Sequence, residues 1–221
     1  MIKYETDPVK IRKISFKKIK ESVSLVHLNK IEQKIAIEMI QASGDLSILE
    51  NLRFSKQAVE TGLEALDDDH ELYCDTDGVI CNLKPKYLKN EPLCFINKAN
   101  VISQAKSNKK TRSMTAVDLW KKHLSGSIVI IGSEPTALFR LIEILEEQDK
   151  EHDDYNLPKL IIVMPVGFTG AIEAKKYLWE NRKKLKVPCI TLLGTRGGND
   201  LASTVMNCLL KIHSEKKQAN N

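Results

Sequence analysis

The sequence predicts an α/β fold with three layers: an open, largely parallel five-stranded sheet, helices on both faces, and further helices at the amino terminus. Apolar runs rich in Val and Ile recur along the chain, and each ends at turn-forming residues. A helical pattern follows most of these runs. Strands that alternate with helices pair in parallel through right-handed crossovers, so this order favours a doubly covered open sheet.

The first 45 residues predict two helices, because apolar side chains recur there at helical spacing. Gly44 is suited to end the second of these helices in a left-handed conformation. A further helix is predicted over 54–66, with Ser55 as its cap.

The five predicted strands lie within 71–78, 92–98, 128–131, 159–168 and 188–199. Helices are predicted from 113 or 115 to 123, from Pro135 onward, over 171–179 and over 200–212. Pro135 suits a first helical position, where its missing N–H costs nothing. The charged segment 148–156 is predicted to be a surface loop.

Polar and glycine residues follow the predicted strands, and the carboxyl ends of parallel strands share one edge of a sheet. We therefore expect the following residues to be near neighbours: Asp75, Asp77, Asn97, Ser133, Glu134, Gly167, Thr195 and Arg196. The turn at Ser133 precedes a helix, and free N–H groups with the helix dipole favour an anionic ligand there.

Several motifs leave two interpretations open. The segment 194–198 is either a tight turn or a backbone cradle for an anion. Arg112 is either a surface residue or a bidentate partner for a carboxylate at a helix start. Ser15 and Gln41 interrupt apolar neighbourhoods and would ordinarily be satisfied or solvent-facing polar groups.

Composition restricts the class of protein. The chain has 221 residues and a net charge of +5, which predicts one domain over 1–213 and a frayed polar tail over 214–221. No apolar run approaches the roughly 20 residues of a membrane span, and no signal peptide is evident, so a cytoplasmic location is expected. Five cysteines without paired spacing predict free thiols. We expect no metal site and no nucleic-acid or membrane partner.

Taken together, several blocks resemble one family: Ser15-Phe16, 41–44, Phe54-Ser55, Cys74-Asp75, 111–113, 131–139, 164–175 and 194–198. The sequence is similar to precorrin-8X methylmutase (precorrin isomerase) and its cobalt-precorrin-8 counterpart in cobalamin biosynthesis, over about residues 5–210. The resemblance implies an isomerase without an organic cofactor, which moves a methyl group from C-11 to C-12 of a tetrapyrrole. It also implies a homodimer with the polycarboxylate substrate bound near the subunit interface.

The resemblance places Gln41 where the family has a histidine that is regarded as the general acid. Glutamine cannot donate and recover a proton near neutral pH, although it can form hydrogen bonds. Ser133-Glu134 replaces the usual Asn-Ala, and Thr195 replaces an arginine. Glu134 would supply the proton only if burial raised its pKa. The candidate substrate-binding residues are Ser15, Asp75, Arg112, Ser133, Glu134, Gly167, Thr195, Arg196 and Gly197.

The sequence is compatible with three functions. The first is an active precorrin isomerase that tolerates Gln41 and Glu134. The second is a corrinoid-binding or carrier protein without catalysis, and the third is an unrelated enzyme on the same fold. We favour the first, because the blocks after the strands are retained nearly intact.

Overall fold

A mostly parallel sheet forms the centre of the computed structural model, which describes residues 2–148 and 156–220. Within those residues the sheet has six strands in the order β1-β6-β5-β4-β2-β3. Their bounds are β1 Leu52–Phe54, β2 Leu72–Cys74, β3 Leu93–Cys94, β4 Ile128–Ile131, β5 Leu160–Val163 and β6 Cys189–Leu192. Strands β2 to β6 pair in parallel, and β1 pairs antiparallel with β6.

The described part of the chain also contains nine α-helices. They are α1 Pro8–Ser22, α2 Lys30–Ser43, α3 Ala58–Asp67, α4 Asp77–Asn82, α5 Ala99–Ser107, α6 Arg112–Asp118, α7 Pro135–Gln148, α8 Ala171–Leu185 and α9 Asn199–Asn220. Two short 3-10 helices span Leu46–Glu50 and Pro85–Tyr87. The predicted α/β architecture is confirmed, with one strand more than expected.

Alternating side chains of the strands feed two separate cores. In β4, Ile128 and Ile130 join the core formed with α1 to α4 and α9, whereas Val129 and Ile131 face α6 to α8. Helix α5 packs against α6. Because every residue of β4 is buried, the strand reads as a continuous apolar run.

The prediction for residues 54–57 is wrong. Phe54 ends strand β1, and Ser55 continues the ladder: its hydroxyl accepts the Cys189 N–H at 2.7 Å, and its own N–H donates to the Cys189 carbonyl at 2.9 Å. Helix α3 begins only after Gln57, which has a left-handed φ of 64°. A three-residue edge strand has too short a pattern to be recognised, and its partner lies far along the chain.

Some other helix boundaries follow the predictions and some do not. Helix α6 ends at Asp118 instead of 123, α8 continues to Leu185 instead of 179, and α4 and α5 were not predicted. Pro135 is the first residue of α7, and Gly44 ends α2 with a φ of 66°. Helix α9 continues through 214–220, the segment for which the sequence predicts a frayed tail. The predicted loop over 148–156 lies almost entirely outside the described residues. Across 2–148 and 156–220, no helix is both long and apolar enough to cross a membrane.

Candidate active site

The loops that follow β4, β5 and β6 contact one another along the carboxyl edge of the sheet. The Gly167 N–H donates to the Thr195 carbonyl at 3.0 Å, and the Val166 N–H approaches the Ser133 carbonyl at 3.4 Å. The Gly198 N–H donates to the Met164 carbonyl at 2.8 Å. The structure therefore brings Ser133, Gly167 and Thr195 together, as the order of strands implies. We call this edge the rim.

The rim continues toward β3 through polar side chains. The Arg112 guanidinium donates to the Asn97 side-chain oxygen at 3.1 Å, and the Asn97 amide donates to Asp77. Arg112 is exposed and begins helix α6. The hydroxyls of Thr111 and Thr136 lie 2.8 Å apart and join the starts of α6 and α7. Arg112 is thus held beside the β4–α7 turn with its cationic group open to solvent.

Asp75, one of the predicted substrate-binding residues, is fully buried and does not present its carboxylate at the surface of the rim. Its carboxylate accepts the backbone N–H groups of Gly132, Ser133 and Glu134, each at 3.0 Å. Burial raises the pKa of this carboxyl, the three N–H bonds oppose that rise, and the nearby charge of Glu134 adds to it. Asp75 thus takes up the N–H groups that the sequence analysis assigned to an anionic ligand.

Asn199, the first residue of α9, holds the β2 and β4 turns together, and sequence reasoning did not identify it. Its side-chain oxygen lies 3.1 Å from the Thr76 hydroxyl. A Cβ at Gly78 would lie 2.3 Å from the Asn199 amide nitrogen, and one at Gly132 would lie 2.6 Å from its side-chain oxygen. A Cβ at Gly132 would also lie 2.9 Å from the Asn199 Cα, so a glycine is required there, whereas a side chain at Gly78 would displace the Asn199 amide. This signal becomes visible only with the three-dimensional contacts.

The segment 194–198 is a tight turn packed on the β5 loop. A Cβ at Gly197 would lie 2.0 Å from the Met164 carbonyl oxygen and 2.9 Å from the Pro165 carbonyl oxygen. Since the Gly198 N–H is also bonded to Met164, this part of the turn contacts protein instead of presenting a free backbone cradle. The tight-turn interpretation is the one that the contacts favour for Gly197.

Arg196 connects the rim to the end of helix α2. Its guanidinium forms an ion pair with Asp45 and donates to the Ser47 hydroxyl at 3.0 Å. Its carbonyl accepts a hydrogen bond of 2.7 Å from the ammonium of Lys175. Lys175 is fully buried, and burial lowers its pKa to about 8. The sequence signal for Lys175 was its place on the buried face of α8, between Ala174 and Leu178.

Ser15 and Gln41 share a groove of about 230 Å³ between α1 and α2, with Ile19, Ile40 and Leu46 among its lining residues. Gln41 is exposed near the end of α2, whereas Ser15 is half-buried. The site is therefore built in two parts, the rim and this groove, and the Arg196–Asp45 pair lies between them. A larger depression of about 750 Å³ beside Leu46 contains none of the predicted site residues.

Apolar side chains project from the rim. Phe168 is 90% exposed and Val166 is 44% exposed in the loop after β5. On α1, Ile11 and Ile14 are 43% and 45% exposed. Exposed apolar groups beside a polar rim are typical of surfaces that receive a ligand or another protein chain.

Comparison with known proteins identifies relatives over nearly the whole chain. Residues 10–212 match the family model described as precorrin-8X methylmutase. A precorrin-8X methylmutase from Pseudomonas aeruginosa is 35% identical, with 95% of this chain and 98% of that protein covered. A cobalt-precorrin-8 methylmutase from Methanocaldococcus jannaschii is 30% identical, with coverages of 94% and 93%. The crystal structure of a precorrin-8X methylmutase from Thermus thermophilus aligns with a TM-score of 0.80 at 29% identity, covering 94% of this chain and 97% of that one.

Proposed function

We propose, because the chain belongs to the precorrin-8X methylmutase family, that it is an isomerase of cobalamin biosynthesis. Its substrate is precorrin-8X or cobalt-precorrin-8, and the reaction moves a methyl group from C-11 to C-12 of the ring. The observation that carries the proposal is similarity over nearly the full length to relatives that bear both names. The contiguous rim and groove supply a surface on which one face of a macrocycle can rest.

The reaction is a rearrangement within one molecule, so the protein has few chemical tasks. It must hold the ring in a reactive shape, and one proton promotes the migration. Gln41 lies in the groove with Ser15, where its amide donates hydrogen bonds to the ring or to a carboxylate. Arg112 has an exposed guanidinium that suits a substrate carboxylate. Ser133, Glu134, Gly167 and Thr195 line the rim between these two positions.

The first experiment is direct turnover. Purified protein is mixed with precorrin-8X, and separately with cobalt-precorrin-8, while the absorbance spectrum is followed. We expect conversion of one of them to hydrogenobyrinic acid or cobyrinic acid. Tight binding with an unchanged spectrum would instead identify a corrinoid carrier. If the protein neither binds nor converts these compounds, the proposal is contradicted altogether.

Position 41 provides a sharper test. The variant Gln41→His restores a group that titrates near neutral pH, and general acid catalysis is worth about 10²–10⁴ in rate. We expect turnover to rise at least about tenfold and to decline above the imidazole pKa of about 6.5. Gln104→His, on exposed α5, is the matched control and should leave the rate unchanged. An unchanged rate in both variants would show that position 41 does not deliver the proton.

The proposal includes a homodimer in the cytoplasm. Its support is the exposed apolar side chains, Phe168 and Val166 in the loop after β5 and Ile11 and Ile14 on α1, which a second subunit would cover. Sedimentation at micromolar concentration should give twice the chain mass of 25.0 kDa. A purely monomeric protein that retains full turnover would remove the dimer from the proposal.

A further inference from the structure

A second depression adjoins Gln41, in addition to the groove that Gln41 shares with Ser15. It has a volume of about 420 Å³ and lies among α1, α2, α9 and the short helix Pro85–Tyr87. Gln41 lines both the groove and this depression. Whatever ligand touches Gln41 therefore has access to both, and we call the second one the cationic pocket.

The cationic pocket is lined by four basic side chains and a single carboxylate. The basic residues are Arg12, Lys84, Lys86 and Lys211, and the carboxylate is Glu38. Glu38 is already engaged in an ion pair with Arg12. Neutral polar residues complete the lining, with Gln41, Thr204 and Asn207 among them. Lys211 also has a carboxylate neighbour outside the lining, since Glu215 lies 3.7 Å from its ammonium. With Arg12 and Lys211 each paired, Lys84 and Lys86 carry the excess positive charge that makes the pocket complementary to an anionic ligand.

The fold fixes the position of these charges. The side-chain oxygen of Asn207 accepts the Lys84 N–H at 2.8 Å, and its amide donates to the Asn82 carbonyl at 2.9 Å. One amide on α9 thus fastens the segment that bears Lys84 and Lys86. Arg12 is fixed in a similar way, since it pairs with Glu38 and lies 4.5 Å from the centre of the Phe16 ring. Charges on a fixed backbone lose less conformational freedom when a ligand binds.

We infer that the cationic pocket binds the carboxylate side chains at one edge of the tetrapyrrole while Gln41 contacts the ring. This inference rests on the proposed function and extends the binding surface beyond the rim. The volume of about 420 Å³ suits flexible acidic side chains at an edge, while the ring itself lies over Gln41. Because the lysines touch only peripheral carboxylates, they act on binding and not on the migrating methyl group.

The test compares two triple variants of the full-length protein. One is Lys84→Gln/Lys86→Gln/Lys211→Gln, which removes the lysine charges of the cationic pocket. The other is Lys106→Gln/Lys109→Gln/Lys183→Gln, which removes as many charges from exposed sites on and after α5 and on α8. Affinity for hydrogenobyrinic acid is measured by absorbance titration at several salt concentrations, and turnover is measured with the substrate that the wild type converts.

We expect the pocket variant to bind about tenfold more weakly, or about 1.4 kcal/mol, with a flatter salt dependence. Its KM should rise with kcat unchanged, because these charges bind ground state and transition state alike. The control variant should match the wild type. If both variants bind within about twofold of an active wild type, the inference is wrong and the proposed function stands. A fall in kcat at unchanged KM would also overturn it. If the wild type neither binds hydrogenobyrinic acid nor converts either substrate, both this inference and the proposed function are contradicted.

Discussion

Replacing Asp75 with Asn should destabilise the fold by several times the effect of a surface change. The carboxylate is fully buried, and it accepts three backbone N–H groups that belong to the β4–α7 turn. One oxygen accepts the Gly132 N–H, and the other accepts those of Ser133 and Glu134. An asparagine has only one acceptor oxygen, so at least one of these N–H groups must face an NH₂ group.

The magnitude follows from these three bonds. A buried N–H without an acceptor costs about 1–3 kcal/mol, and the remaining bonds lose the strength that the negative charge gave them. Relief of the buried charge offsets part of this loss, since burial raises the pKa of Asp75. We expect the free energy of unfolding to fall by about 2–3 kcal/mol. For a chain of this length, that lowers Tm by about 4–12 °C.

Urea unfolding followed by circular dichroism measures this change. The matched control is Asp77→Asn, two residues later, where the carboxylate is exposed and accepts hydrogen bonds from side chains, the Asn97 amide and the Cys94 thiol, and from no buried backbone N–H among its described partners. Such a surface change should lie within about 0.5 kcal/mol of the wild type. If Asp75→Asn is no less stable than Asp77→Asn, Asp75 does not hold the turn. Asp75 would then again be a candidate ligand-binding residue.

Three further changes test the packing of the fold, at the rim and at the β1–β6 edge. Gly197→Ala should lower the free energy of unfolding in urea by at least about 3 kcal/mol, because its Cβ would lie 2.0 Å from the Met164 carbonyl oxygen. Gly44→Ala is the control, and because it has open space around it, it should lower the same quantity by only about 1 kcal/mol. Ser55→Ala leaves the buried Cys189 N–H without an acceptor and should lower stability by about 1–3 kcal/mol in the same assay, whereas an unchanged value would contradict the β1–β6 ladder. Lys175→Met should have a higher free energy of unfolding than the wild type at pH 7 and should lose that advantage by pH 10. Urea unfolding at both pH values measures the difference. The folded pKa of Lys175 is about 8 against about 10.4 unfolded, so the wild type gains stability as pH rises through this window; a pH-independent difference would refute the buried charge.

The sequence was sufficient to predict the parts of the fold that have long, regular patterns. Strands β4 and β5 are apolar and rich in β-branched residues, and β6 is apolar except for Thr191. Each is followed by turn residues and a helix, so both type and order are visible. The common edge of the sheet then follows from topology alone. Strand β1 was not predictable in this way, because its three residues are specified by pairing with β6 and not by their own pattern.

The sequence predicted which loops meet at the rim but not what several polar residues there contact. Asp75 and Arg196 are polar residues at the ends of strands, which makes them look like ligand contacts. In the structure both bind protein: Asp75 binds the β4–α7 turn, and Arg196 binds Asp45. Lys175 and Asn199 were missed because nothing near them in the sequence indicates what they contact. Their partners, the Arg196 carbonyl and the glycines of distant turns, lie close only after the chain has folded.

The surroundings of Gln41 suit a ligand with an apolar centre and an anionic periphery. Gln41 lines both the cationic pocket and a groove in which Ile19, Ile40 and Leu46 lie beside Ser15 and Lys18. A tetrapyrrole that bears carboxylate side chains has this division of character, with its acidic groups at the edge of an apolar ring. A ligand placed with its acidic edge on Lys84 and Lys211 therefore leaves Gln41 facing the ring. Because charge recognition and ring contact are separated in this way, exchange of the side chain at position 41 should alter turnover while affinity stays governed by the lysines.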